Sequence, residues 1–122
     1  MAAVYVGADL LAHDLIVRGA DVDRRDQEGY TALMYASNAG QEGMVKTLLD
    51  AGADANAFDN AGSTPVMFAA QHGYAGIVKR LLIAGANPGR RRGDGLSAWD
   101  FAAQNGHDRL AGILLSAEGS RS

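Results

Sequence analysis

Apolar residues along this chain fall into paired stripes that return every 33 positions. Leu33, Met34, Tyr35 and Ala36 form a compact run after Thr31, and Gly40 closes it. A second run carries Met44, Val45, Leu48 and Leu49, spaced i, i+1, i+4, i+5, which lays one apolar stripe along a helix. Ile77, Val78, Leu81 and Leu82 repeat that spacing one period later. The polar punctuation keeps the same step in Gly29, Gly62 and Gly95, in Thr31, Thr64 and Ser97, and in Gly40, Gly73 and Gly106. Gly7, Leu15, Ile16 and Gly19 extend it backwards, matching Gly40, Leu48, Leu49 and Gly52. A period of this length predicts stacked supersecondary units, each leaning on its neighbours, in place of a single globular core.

Within one unit the residue types predict a turn, a short helix, a second helix and a return loop. Asp26-Gln27-Glu28-Gly29 is a turn signal, because Asp bonds nearby backbone and Gly takes positive φ. Thr31 stands where a helix N-cap belongs, and in the next unit Thr64 is followed by Pro65 at the first helical position. Gly40 is a left-handed helix end, and Gly52 ends the second helix. Lys46 and Asp50 fall i, i+4 on the open side of that second helix.

These residues resemble the ankyrin repeat. The family pattern of a turn Asp and Gly, Thr-Pro, paired Ala, Gly, paired aliphatics, Leu-Leu and Gly-Ala appears as Gly62, Thr64-Pro65, Ala69-Ala70, Gly73, Ile77-Val78, Leu81-Leu82 and Gly85-Ala86-Asn87. The resemblance spans nearly the whole chain and implies an all-α ankyrin-repeat solenoid of helix-turn-helix units with short finger turns. Its boundaries are expected as a partial repeat 1–25, repeats 26–58 and 59–91, and a C-terminal capping repeat 92–119. The family's His, which usually bonds between repeats, is replaced by Met34, Met67 and Asp100, so two of these sites are expected to pack by apolar contact. Arg92 takes the turn-Asp position of the last copy, and Glu118-Gly119 replaces Gly-Ala. Asp100 and the polar tail after Leu115 read as an end repeat meeting solvent. The N-terminus reads as cut from a longer chain or as a degenerate first repeat.

Composition narrows the function further. The 122 residues include no Cys, which excludes disulfides and Cys-ligated zinc, and the net charge of -3 argues against nucleic acid as the main partner. No apolar run approaches the roughly 20 residues that span a membrane, and no signal peptide is visible. His13, His72 and His107 lack metal-binding spacing, and the chain has no nucleophile elbow or phosphate-binding Gly loop. The expected function is therefore protein binding without catalysis, cofactor, metal, membrane or nucleic acid. An exported bacterial effector or toxin-neutralising protein, or a scaffold segment of a longer chain, is the alternative. The compartment stays open between the cytoplasm and, if a signal segment lies upstream, export or the periplasm.

The resemblance implies that the turn tips and first helices line a concave binding groove. Carried over by position, the candidates are Gln27, Glu28, Tyr30, Asn38 and Ala39; then Phe58, Asn60, Ala61, Ser63, Gln71 and His72; then Arg91, Gly93, Asp94, Leu96, Gln104 and Asn105. Tyr30, Phe58 and Leu96 are large apolar residues on turns and read either as interface anchors or, for the two aromatics, as staples between adjacent fingers. Arg24-Arg25 and Arg90-Arg91-Arg92 are the basic clusters. They read as solvated loops balanced by Asp21, Asp23, Asp26 and Asp94, with an acidic partner or phosphate as the alternative. His107 reads as structural, and Trp99, at the Leu position of its repeat, as core.

Overall fold

The computed structural model describes residues 22–121. The expected partial repeat lies outside these residues through position 21, as do His13 and Asp21. Six helices follow in order: α1 (Ala32–Ala39), α2 (Glu42–Asp50), α3 (Pro65–His72), α4 (Ala75–Ile83), α5 (Ala98–Gln104) and α6 (Asp108–Arg121). The odd-numbered helices begin 33 residues apart. They pack side by side as α1–α3–α5, each also against the even-numbered helix that follows it, and α2 packs on α4.

Each odd-numbered helix is started by the same register position in a different way. Thr31 Oγ1 accepts the Met34 N–H at 3.3 Å. In the next unit Pro65 opens α3, and the Thr64 N–H donates to Met67 Sδ at 3.5 Å. In the last, Asp100 Oδ2 accepts both the Ser97 N–H at 2.8 Å and the Ser97 hydroxyl at 3.0 Å. Met34 and Met67 are buried, as expected for apolar substitutes at these sites, and Met67 adds a sulfur acceptor that the sequence reading did not anticipate.

The core is a continuous aliphatic seam through the stack. Leu33, Val45, Leu48, Val66, Ile77, Val78, Leu81 and Leu114 are all almost fully buried. Ala36, Ala69, Ala70 and Ala102 are buried where the odd-numbered helices approach one another. Trp99 corrects the sequence reading: it is 38% exposed, whereas Leu33 and Val66 at the same register are each 1% exposed. Those two are covered because another described unit packs against theirs, and no described unit follows α5 and α6.

Two devices set the spacing between units. Gly40 and Gly73 have φ of 75° and 76°, and each lies under an aromatic ring of the next unit. A Cβ on Gly40 would stand 2.8 Å from the Tyr74 ring, and one on Gly73 would stand 2.7 Å from the His107 ring. His107 also places Nε2 3.2 Å from the Gln71 carbonyl, which supports its reading as structural. The return loops are tied as well, since Asp23 Oδ1 accepts the Asp54 N–H at 2.8 Å and Asn56 Oδ1 accepts the Asn87 N–H at 2.7 Å. Asp23 and Asn56 are 33 apart, so one polar tie is used twice.

Candidate functional site

The fingers are built by one backbone pattern. Asp26, Asp59 and Arg92 donate their N–H to Tyr30, Ser63 and Leu96 carbonyls at 3.0, 3.0 and 2.7 Å, and Gly29, Gly62 and Gly95 close each turn from inside. In the first two fingers an Asp carboxylate locks the turn: Asp26 Oδ1 accepts from Glu28 and Tyr30, and Asp59 Oδ1 from Ala61 and Ser63. Arg92 cannot accept, and Asp94 takes over by accepting the Leu96 N–H at 3.2 Å and pairing with the Arg92 guanidinium.

Adjacent fingers are bonded into a continuous strip. The Asn60 N–H donates to the Glu28 carbonyl at 3.0 Å, and the Gly93 N–H, 33 residues on, donates to the Ala61 carbonyl at 3.1 Å. Asn60 Nδ2 adds a bond to the Gln27 carbonyl at 3.0 Å. The C-terminal ends of the odd-numbered helices supply a second row, where His72 Nε2 lies 2.9 Å from Asn38 Oδ1 and the His72 and Tyr74 rings stack.

The candidate residues divide accordingly. Gln27, Glu28, Asn60, Gln71, His72, Gln104 and Asn105 are exposed along these rows, as are Phe58, Arg91 and Asp94, while Asn38 is half-buried. Ser63 departs from the exposed surface expected of it: it is 5% exposed, in a finger whose Asp59 carboxylate accepts its N–H. Tyr30 and Leu96 do not project freely either. Tyr30 sits half-buried between Tyr35 and Phe68, ring centroids 5.4 and 5.9 Å away in edge-on contacts, and Leu96 packs on the core. Asn105 Nδ2 turns back to the Phe101 carbonyl at 2.7 Å. Arg91 donates to the Gly95 carbonyl at 2.8 Å and lies 3.8 Å from the Asp100 carboxylate.

Phe58 is the exposed aromatic of the fingers, at 41%. Two guanidinium groups lie over its ring, with Cζ of Arg90 at 4.1 Å and Cζ of Arg25 at 5.5 Å from the centroid. Arg25 also donates to the Phe58 carbonyl at 2.5 Å and to the Gly29 carbonyl at 3.3 Å. Sequence reasoning assigned both arginines to solvated loops. The repeat step places Arg25 33 residues before Phe58, but Arg90 lies one position short of the matching site, which Arg91 holds.

Two ionisable pairs stiffen the fingers at either end. The Tyr35 hydroxyl donates to Asp26 Oδ2; this bond, with some burial, raises the Tyr35 hydroxyl pKa to about 12 and holds the Asp26 carboxyl below its usual range. The Arg92 hydrogen bond likewise lowers the Asp94 carboxyl, helped by the Leu96 N–H. Among the described residues no cluster of His, Asp or Glu is placed to hold a metal ion, and no helix is long and apolar enough to cross a membrane. A groove of about 290 Å³ lies between α2 and α4, lined by Lys46, Leu49, Asp50, Arg80, Ile83 and Ala84. It sits on helices that carry none of the candidates.

Helix pairs stacked in register and joined by bonded fingers define an all-α helical-repeat solenoid. The family model for ankyrin repeats, in three copies, matches residues 1–92, and the chain belongs to the ankyrin-repeat family. The helices α5 and α6 lie beyond the matched span yet keep the same step and the same finger. A search among curated proteins found no match. Ankyrin repeats are in general modules of protein–protein interaction and typically not enzymes.

Proposed function

We propose that this chain binds a partner protein through the strip of fingers and the adjoining C-terminal ends of α1, α3 and α5, without catalysing a reaction. One observation carries the reading. Cross-finger bonds and helix packing bring polar side chains from three successive units into two ordered rows, with Gln27, Glu28 and Asn60 in one and Gln71, His72, Gln104 and Asn105 in the other. The side chains there are polar and exposed, while the backbone beneath them is fixed, so little ordering entropy opposes binding. Tyr30 and Leu96 then act as supports under the strip, and Phe58 as its exposed apolar contact. The domain is read as one array, with repeats 26–58 and 59–91 between a partial repeat 1–25 and a capping repeat 92–119. Whether it works as a scaffold segment or as an exported binder depends on a partner that these residues do not name.

The test is affinity purification with the intact chain and identification of the captured protein by mass spectrometry, followed by titration with purified partner. Gln71→Arg with Gln104→Arg should weaken binding at least tenfold, whereas Lys46→Glu with Lys79→Glu should leave it within about twofold. The reverse pattern would move the interface to the even-numbered helices.

A further inference from the structure

We infer that Phe58, with Arg90 and Arg25 stacked on it, anchors a carboxylate-bearing peptide segment of the partner, an inference that rests on the finger strip being the binding surface. The phenyl ring holds both guanidinium groups over its face, and a guanidinium held on an aromatic ring keeps N–H donors for bidentate capture of a carboxylate. Arg25 spends part of that edge on two backbone carbonyls. Arg90 does not: among the described residues neither it nor the exposed Arg24 makes a hydrogen bond or ion pair.

Four carboxylates of the fingers and of α5 are already engaged. Asp59 is buried and accepts two finger N–H groups, Asp26 holds Tyr35, Asp94 holds Arg92, and Asp100 serves Ser97 and Arg91. Among the described residues Arg90 therefore keeps its charge without an ion pair, even though the chain as a whole is acidic at -3. That overall charge disfavours a long polyanion such as nucleic acid, which must approach many sites at once. The open part of the Phe58 ring favours the methylene groups of Glu or an apolar neighbour in a peptide. Acidic side chains beside an apolar one match both halves of the platform.

The experiment uses the full chain and two fluorescein-labelled peptides, one of glutamates around a single leucine and one with lysines in their place. Fluorescence anisotropy should show saturable binding of the glutamate peptide, weakening with salt, and none of the lysine peptide. Arg90→Gln removes the free guanidinium without breaking any hydrogen bond. It should weaken binding about tenfold at an unchanged melting temperature. Phe58→Leu, which keeps apolar bulk but loses the ring face, should also weaken it. Amide chemical shifts should move at Arg25, Phe58 and Arg90. Undiminished binding by Arg90→Gln, or equal binding of a single-stranded oligonucleotide, overturns the anchor. Shifts confined to Gln71 and Gln104 overturn the anchor but leave the proposed face, at its row of helix C-terminal ends; shifts at Lys46 and Ile83 overturn both.

Discussion

The pair α3–α4 and the pair α5–α6 are written in one register and meet different surroundings. Val66 is 1% exposed between α1 and α5, whereas its counterpart Trp99 is 38% exposed. Leu82 packs half-buried against the core, while Leu115, at the same position, is 57% exposed. Gly73 cradles the His107 ring, and a Cβ on Gly106 would meet nothing within 4 Å. Residue type alone therefore does not set burial in a stacked array. The presence of a following unit does, because each unit supplies half of an interface.

The widest separation is expected for aliphatic truncation. Leu81→Ala, in the fully buried seam, should cost about 2–5 kcal/mol, and Leu115→Ala no more than about 0.5 kcal/mol. Urea unfolding monitored by circular dichroism measures both. Equal losses would show that α6 is covered as α4 is.

Glycine substitution tests the same contrast in the backbone. Gly106→Ala should cost about 1–2 kcal/mol for left-handed backbone alone, and Gly73→Ala more, because its methyl also displaces His107. Combining Gly73→Ala with His107→Ala should recover part of the excess. Without such coupling in thermal melts, the ring does not rest on the glycine.

Trp99 is the single tryptophan, so its fluorescence reports on the end of the array directly. Acrylamide should quench it readily in the folded protein. Protection close to that of a buried indole would mean that something covers α5. The smallest expected effect is at the opposite end. Tyr35 should ionise near pH 12 in the folded chain, followed by ultraviolet absorbance, and Asp26→Asn should bring it down toward pH 10. Because folding raises this pKa, the pair contributes stability below about pH 10, and that contribution is lost as pH rises through about 12. The lowered Asp26 carboxyl contributes above its ordinary pKa of 3.8 and loses that contribution in more acidic solution.

Helix starts at Thr31, Thr64 and Ser97, the left-handed glycines and the aliphatic seam were legible from the 33-residue step, because local residue types decide them. The finger residues were legible as positions but not as roles. Ser63 turns inward, Asn60 ties two fingers, and Asp94 replaces a missing Asp two positions late, all through features that only the folded turn creates. Trp99 departs from the burial its register predicts because no described unit packs against α5 on that side. The 33-residue step pairs Arg25 with Phe58, whereas Arg90 is one position off that step, so its contact with the ring is created only by the folded loop.

The glycine-and-ring junction also bears on how such a gene grows. Gly40 receives Tyr74 as Gly73 receives His107, and Asp23 ties Asp54 as Asn56 ties Asn87. A duplication of residues 59–91 by unequal crossing-over would thus set the new Tyr74 over the original Gly73 and the new Gly73 beneath His107, with both halves of each joint already encoded. An insertion between the glycine and the ring that shifts this register would put a side chain where the ring must lie. Recombination in whole 33-residue units keeps every joint intact, and it lengthens the strip of fingers without redesigning any part of it.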